Sequence, residues 1–128
     1  MRLLLDTHAL LWWWGGDTRL PPKVREMIEN GTSEVLVSAA SAWEIATKVR
    51  IGKLPTAKPL IERFEELLSE QGFRHLAISL AHGRRAGSLP GQHRDPFDRI
   101  LAAQSLIEDL PIVSADDAIL RFRVRTYW

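Results

Sequence analysis

Four acidic residues of this 128-residue chain stand where they could act together: Asp6, Glu44, Asp98 and Asp116. Asp6 directly follows the apolar run Leu3-Leu4-Leu5, and Asp116 follows Ile112-Val113 after Ser114-Ala115. Glu44 falls in the helix fed by Val35-Leu36-Val37, and Asp98 opens the run Ile100-Leu101-Ala102-Ala103. Carboxylates gathered at one point repel one another and are driven toward protonation unless a cation neutralises them. The chain has no cysteine. A hard oxygen donor set without paired histidines suits Mg²⁺ or Mn²⁺ rather than zinc. Such ions keep several waters and bind phosphate oxygens, the layout of metal-assisted phosphodiester hydrolysis.

For these acids to meet, the intervening elements must carry four separate segments to one edge. Short apolar runs at Leu3-Leu4-Leu5, Val35-Leu36-Val37, Leu76-Ala77-Ile78 and Ile112-Val113 read as buried strands. Helical patterns lie between them. They run from Thr7 to Trp14, stopped by Gly15-Gly16, and from Pro22 to Asn30, stopped by Gly31. Others run from Ser41 to Val49, from Pro59 to Gln71 and from Pro96 to Glu108, with a short turn at Asp117–Leu120 and a last strand through Val124–Tyr127. Alternating strands and helices predict an α/β fold in one domain over residues 1–128. It has a central parallel sheet of four to five strands, with helices on both faces. In such a sheet ligands bind at the carboxyl ends of the strands, where these four acids fall. Gly87 to Arg94 reads as a surface loop.

Each acid also has a plainer reading. Asp6 can cap the helix that starts at Thr7, and Asp116 the short helix after it. Glu44 can be a first-turn acid favoured by the helix dipole, on a helix whose apolar stripe holds Trp43 in the core. In "HRDPFDRILAAQS", Asp95 before Pro96 fits an N-cap, and Asp98 can answer back to it from the third helical position. Asp95 is therefore the competitor to Asp98, and Asp117 competes with Asp116. Thr7 and Ser114 flank the acids and could orient a water or a phosphate, or only serve turns and caps.

The composition, 45% hydrophobic and 26% charged with a net charge of +1, is that of an ordinary folded domain and not of a basic coat for nucleic acid. Absent cysteine excludes disulfides and thiol chemistry, which agrees with a cytoplasmic setting. Met1-Arg2 leads into only three leucines before Asp6, so neither a signal peptide nor a membrane span is expected.

The stretches "LLLDTHALLW", "SAASAWEIATK", "DPFDRILAAQS" and "PIVSADDAI", in this order, resemble PIN-domain ribonucleases of the VapC type, the toxin half of bacterial toxin–antitoxin pairs. The resemblance covers essentially the whole chain. It implies a small α/β domain that cuts RNA with Mg²⁺ or Mn²⁺ held by acids at the strand ends, leaving a 5′-phosphate. Those acids map onto Asp6, Glu44, Asp98 and Asp116. The resemblance further implies a cognate antitoxin, whose peptide lies in a groove near the active site, and a homodimer. A non-toxin nuclease of the same family, an Asp-nucleophile phosphatase and a non-catalytic binding module remain alternatives. The phosphatase usually wants a second Asp two residues after the first, where this chain has His8.

Basic residues His82, Arg84, Arg85, His93 and Arg94 bracket the Gly87–Gly91 loop and could grip RNA phosphates, or be solvated surface. Lys48, Arg50 and Lys53 form a second, weaker patch. Trp12, Trp13 and Trp14 cannot all face one core, because neighbours on a helix point about 100° apart. At least one should be partly exposed, marking a partner interface in preference to a base-stacking platform.

Overall fold

A computed structural model describes residues 1–128. The strands β1 (Arg2–Leu5), β2 (Glu34–Ser38), β3 (Arg74–Leu76), β4 (Ile112–Val113) and β5 (Thr126–Tyr127) form one sheet in the order β3-β2-β1-β4-β5. Every pairing is parallel. The helices are α1 (Thr7–Gly15), α2 (Pro22–Glu29), α3 (Ala39–Arg50), α4 (Lys58–Glu62), α5 (Phe64–Gln71), α6 (Leu80–Ser88), α7 (Pro96–Glu108) and α8 (Asp117–Leu120), with a 3₁₀ turn at Pro55–Ala57. None is long and apolar enough to cross a membrane.

The pleat of β1 explains the layering. Successive strand residues point to opposite faces. Leu3 and Leu5 therefore pack on one side with Val35, Val37, Ile45 and Phe64, and Leu4 on the other with Leu36, Leu101, Ala102 and Ile112. Both faces of β1 are closed by helices, so a continuous leucine run is its stable sequence. The chain turns from β1 to β2 and β3 on one side, then returns to lay β4 on the other. The switch point therefore lies between the carboxyl ends of β1 and β4, where Leu5 is in register with Val113 and the Asp6 amide donates to the Val113 carbonyl at 3.2 Å.

Several sequence expectations are corrected. The third strand is Arg74–Leu76, two residues earlier than the apolar run; Ala77 and Ile78 are exposed loop. The edge strand needs backbone pairing to β2 more than burial, so its composition is polar. An unexpected helix, α6, covers Leu80–Ser88 and takes in the start of the expected Gly87–Arg94 loop. A capping box starts it: Ser79 Oγ accepts from the His82 amide at 3.1 Å, and His82 Nδ1 accepts from the Ser79 amide at 2.9 Å. His82 is consequently buried, with Nε2 3.3 Å from Glu108 Oε2, and does not belong to the basic surface. The helix expected over Pro59–Gln71 is broken at Arg63 into α4 and α5. The last strand is only Thr126–Tyr127.

The third helix starts at Ala39, capped by Ser38, and not at Ser41. Glu44 is thus in its second turn, where the dipole reading has little force. Its buried stripe is Ala40, Ser41, Glu44 and Ile45. Trp43 falls off that stripe and is 51% exposed, so its expected place in the core is wrong.

Candidate active site

Asp6 and Asp116 stand side by side at the switch point. Asp6 Oδ1 accepts from the Ala9 amide at 2.7 Å and caps α1; Asp116 Oδ1 accepts from the Ala118 amide at 2.9 Å and caps α8. The capping readings are therefore correct for both, yet caps are normally solvated and Asp6 is only 5% exposed. Burial pushes its carboxyl up to about 6 and the negative charge of Asp116 adds to this, while the Ser114 hydroxyl, the Ala9 amide and the nearby His8 pull the other way. Ser114 also accepts from the Asp116 amide at 3.0 Å, so it links the two acids. Thr7 instead donates to Ser41 Oγ at 3.0 Å, tying α1 to α3 beneath the site. A cleft of about 220 Å³ opens over the pair, lined by Asp6, His8, Trp12, Ala115, Asp116 and Trp128.

Asp98 approaches from the start of α7. Asp95 is its cap, accepting from the Phe97 amide at 2.9 Å and the Asp98 amide at 3.3 Å. Asp98 does not answer back to the cap; His93 Nε2 lies 2.9 Å from its carboxylate. Burial raises the Asp98 carboxyl above the usual range, the His93 hydrogen bond opposes this, and the charges of Asp95, Asp116 and Glu44 add to it. Asp98 thus feels the charges of Asp95, Asp116 and Glu44, and Asp6 that of Asp116. Glu44 is 6% exposed and Lys48 Nζ is 2.6 Å from its Oε2. Asp117 is exposed in the first turn of α8.

The donor set, carboxylate oxygens in a partly desolvated cleft, fits a hard divalent cation. As the side chains stand, no three acidic or imidazole groups converge closely enough to hold an ion. Lys48 and His93 take up the acids that would have to swing in.

The expected basic residues separate. Arg84 and Arg85 are exposed on α6, while Arg94 lines the mouth of a cleft of about 320 Å³ with His93, Arg121 and Phe122. Arg50 and Lys53 are exposed beyond the pairing of Lys48 with Glu44. The sequence reading missed Arg99, whose guanidinium donates to the carbonyls of Ala86 (2.8 Å), His93 (2.7 Å) and Leu89. That fork fastens the loop carrying His93 to α7; an arginine one turn into a helix after a glycine-rich loop is the only signal the sequence offers for it. The three tryptophans are each half-buried and largely used internally. Trp12 meets Trp128 edge-on, Trp13 leans on Phe73 and Trp14 on Phe64. Arg19 and Arg25 lie over the Trp12 and Trp13 rings.

The PIN domain family model matches residues 3–124. The chain belongs to the PIN-domain family. Ribonuclease VapC16 of Mycobacterium tuberculosis H37Rv is 36% identical to this PIN domain over 70 residues, 53% of this chain, and the match spans half the length of that relative. Ribonuclease VapC22 of the same organism is 27% identical over 115 residues, 89% of this chain and 86% of the relative. The PIN fold also matches solved structures of low identity. VapBC2 from Rickettsia felis, bound to a DNA fragment from its promoter, gives a TM-score of 0.72 at 15% identity, covering 99% of this chain and 98% of that one. FitAB bound to an IR36 DNA fragment gives 0.70 at 18%, covering 98% and 93%. VapBC-1 from nontypeable Haemophilus influenzae gives 0.71 at 15%, covering 99% and 97%.

Proposed function

We propose that this PIN domain, over residues 1–128, is a metal-dependent endoribonuclease and acts as the toxin of a toxin–antitoxin pair. The observation that carries the proposal is the pairing of Asp6 with Asp116 at the switch point, with Asp6 buried and its carboxyl pushed up to about 6, and with Asp98 nearby raised by burial and by the charges of Asp95, Asp116 and Glu44. Burying Asp6 beside Asp116 raises the cost of ionising it, a cost that a bound cation would relieve. The ribonuclease names of the relatives and the antitoxin complexes among the structural matches support the substrate and the partner.

Asp6, Glu44, Asp98 and Asp116 would hold Mg²⁺ or Mn²⁺, with Asp95 and Asp117 in reserve. When bound, the ion supplies a more easily deprotonated water and polarises the phosphate. Ser114 orients Asp6 against Asp116, and Thr7 fixes the start of α1 on α3. Lys48 and His93 hold Glu44 and Asp98 until the ligand set forms. Arg84, Arg85, His93 and Arg94 grip the RNA backbone. Trp12, Trp13 and Trp14 offer a partner surface, since a groove of about 530 Å³ runs between Trp12 and Trp14 on one side and Leu54, Pro59 and Leu60 on the other. A homodimer in the cytoplasm completes the proposal.

The structure gives the phosphatase reading nothing new, since His8 stacks on Trp12 instead of presenting an acid. The binding-module reading has one observation in its favour: Asp6, Asp95 and Asp116 are all working caps. The two separate in one experiment. Purified Asp6→Asn should keep its fold, because asparagine caps as well as aspartate, and lose Mg²⁺- or Mn²⁺-dependent cleavage of RNA and growth arrest on expression. A folded Asp6→Asn protein that still cuts RNA defeats the nuclease reading.

A further inference from the structure

We propose that Arg121, together with Arg94 and the segment Gly91–Arg94, forms a subsite that seats one phosphate group of the RNA backbone independently of any metal. The inference rests on the nuclease reading and adds to it a positioning residue on the turn that follows α8. The place is the cleft of about 320 Å³ whose walls include Gln92, His93, Arg94, Arg121 and Phe122. Arg94 and Arg121 reach it from two separate segments. Both are exposed, and neither belongs to an ion pair. No acidic side chain lines the cleft. The backbone adds to its positive character. The Arg99 guanidinium engages the carbonyls of Leu89 and His93, while the amides of Gly91, Gln92, His93 and Arg94 donate to nothing within the protein. A segment with carbonyls engaged and amides unspent has donors in excess, the property of backbone sites that take anions.

These groups choose the occupant. Two unpaired guanidinium forks beside a row of amides match the oxygens of a phosphate. The aromatic side chain in the lining, Phe122, is already in use: His93 meets it edge-on at 5.5 Å, and Arg99 lies over it at 5.7 Å. The cleft therefore offers little to a hydrophobic partner. His93 joins it to the candidate active site, since its Nε2 lies 2.9 Å from the Asp98 carboxylate. The charge of Asp98 works against a free anion settling here. A phosphate tethered in a strand is brought to the cleft by the strand itself, when the neighbouring phosphate lies at Asp98.

The test separates binding from catalysis. A single-stranded oligoribonucleotide of mixed sequence is titrated against the full chain in a chelating buffer at several salt concentrations. Wild type should bind it, with affinity falling as salt rises. Arg121→Gln should weaken binding about tenfold at low salt. It should also lower the slope of log affinity against log salt by about 0.7, the value of one phosphate contact on a single strand. Arg121→Lys, which keeps the charge, should recover most of the slope. Arg123→Gln removes the same charge from an exposed residue outside the cleft, and should change affinity by no more than about twofold. With Mn²⁺ restored, Arg121→Gln should raise the KM for cleavage and leave kcat near wild type, as a residue that only binds the strand would. Unchanged RNA affinity in Arg121→Gln, an equal loss in Arg123→Gln, or a wild type that binds RNA only with divalent ion overturns the inference. So does a loss confined to inorganic phosphate or to a poly-glutamate peptide, titrated in parallel, with RNA spared. None of these results touches the nuclease reading, which falls if wild type fails to cleave RNA with Mn²⁺ present.

Discussion

Lys48 Nζ lies 2.6 Å from Glu44 Oε2, one helical turn further along α3. A nearly buried acid of the candidate active site thus carries its own cation. The pair holds Glu44 in place, and a metal taken up by Glu44 would have to compete with it. Lys48→Met should lower the metal-free melting temperature, at a cost of about 1–2 kcal/mol, below that of breaking a fully buried pair. It should also increase the stabilisation produced by added Mn²⁺. Thermal melts with and without the ion check both signs, and an unchanged response to Mn²⁺ removes Glu44 from the ligand set.

Asp6 should make the metal-free protein less stable at neutral pH. Its folded carboxyl is raised from 3.8 to about 6. A raised carboxyl contributes stability that is fully present below the unfolded value and is lost as pH rises through the folded one. The gap corresponds to at most about 3 kcal/mol. Asp6→Asn should therefore be more stable than wild type near neutral pH, and its advantage should shrink as pH falls from 6 toward 3.8. Denaturant melts across that window give the curve. A pH-independent difference would falsify the desolvation account.

Asp95 and Asp98 should divide their labour. Asp95 caps α7 through two amides, so Asp95→Ala should cost about 1 kcal/mol of stability and leave cleavage largely intact. Asp98→Ala should abolish cleavage at little cost in stability, since it removes a carboxylate raised by burial and by its neighbours' charges. Paired melts and cleavage assays decide it; the reverse pattern makes Asp95 the ligand.

Arg99 should control the order of the segment that carries His93. Three carbonyls depend on its guanidinium, and a lysine cannot serve all three with one point charge. Arg99→Lys should destabilise by about 2 kcal/mol. Amide exchange should quicken over residues 89–94 before it does elsewhere. Uniform quickening across the sheet would show that Arg99 supports the whole fold instead.

The strands that position Asp6 and Asp116 were legible because β1, β2 and β4 are buried on both faces and are apolar along their central runs, Leu3–Leu5, Val35–Val37 and Ile112–Val113. The edge strand β3 was not: Arg74 and His75 need no burial, and the apolar run beside them lies outside the sheet. Helix α6 hid behind Gly83, Gly87 and two arginines, although the Ser79 and His82 spacing of its capping box was readable. Trp43 was misplaced because apolar character was taken for burial; the Ser38 cap two residues upstream of Ala40 sets the helix phase that turns Trp43 outward. The acids could be found from where the strands end. Their pairing with Lys48 and His93 could not, because it depends on side-chain geometry across a turn and a loop.

The packing of Trp128 against Trp12 has a practical consequence. Because β5 runs parallel to β1, Trp128 lies at the same edge as Asp6 and helps wall the cleft over it, whereas Met1 is at the opposite edge. Any polypeptide continued past Trp128, natural or added as a purification handle, would leave the molecule through the rim of the cleft over Asp6 and Asp116. A handle placed before Met1 emerges a full strand length away, and is the one to use when activity is to be measured.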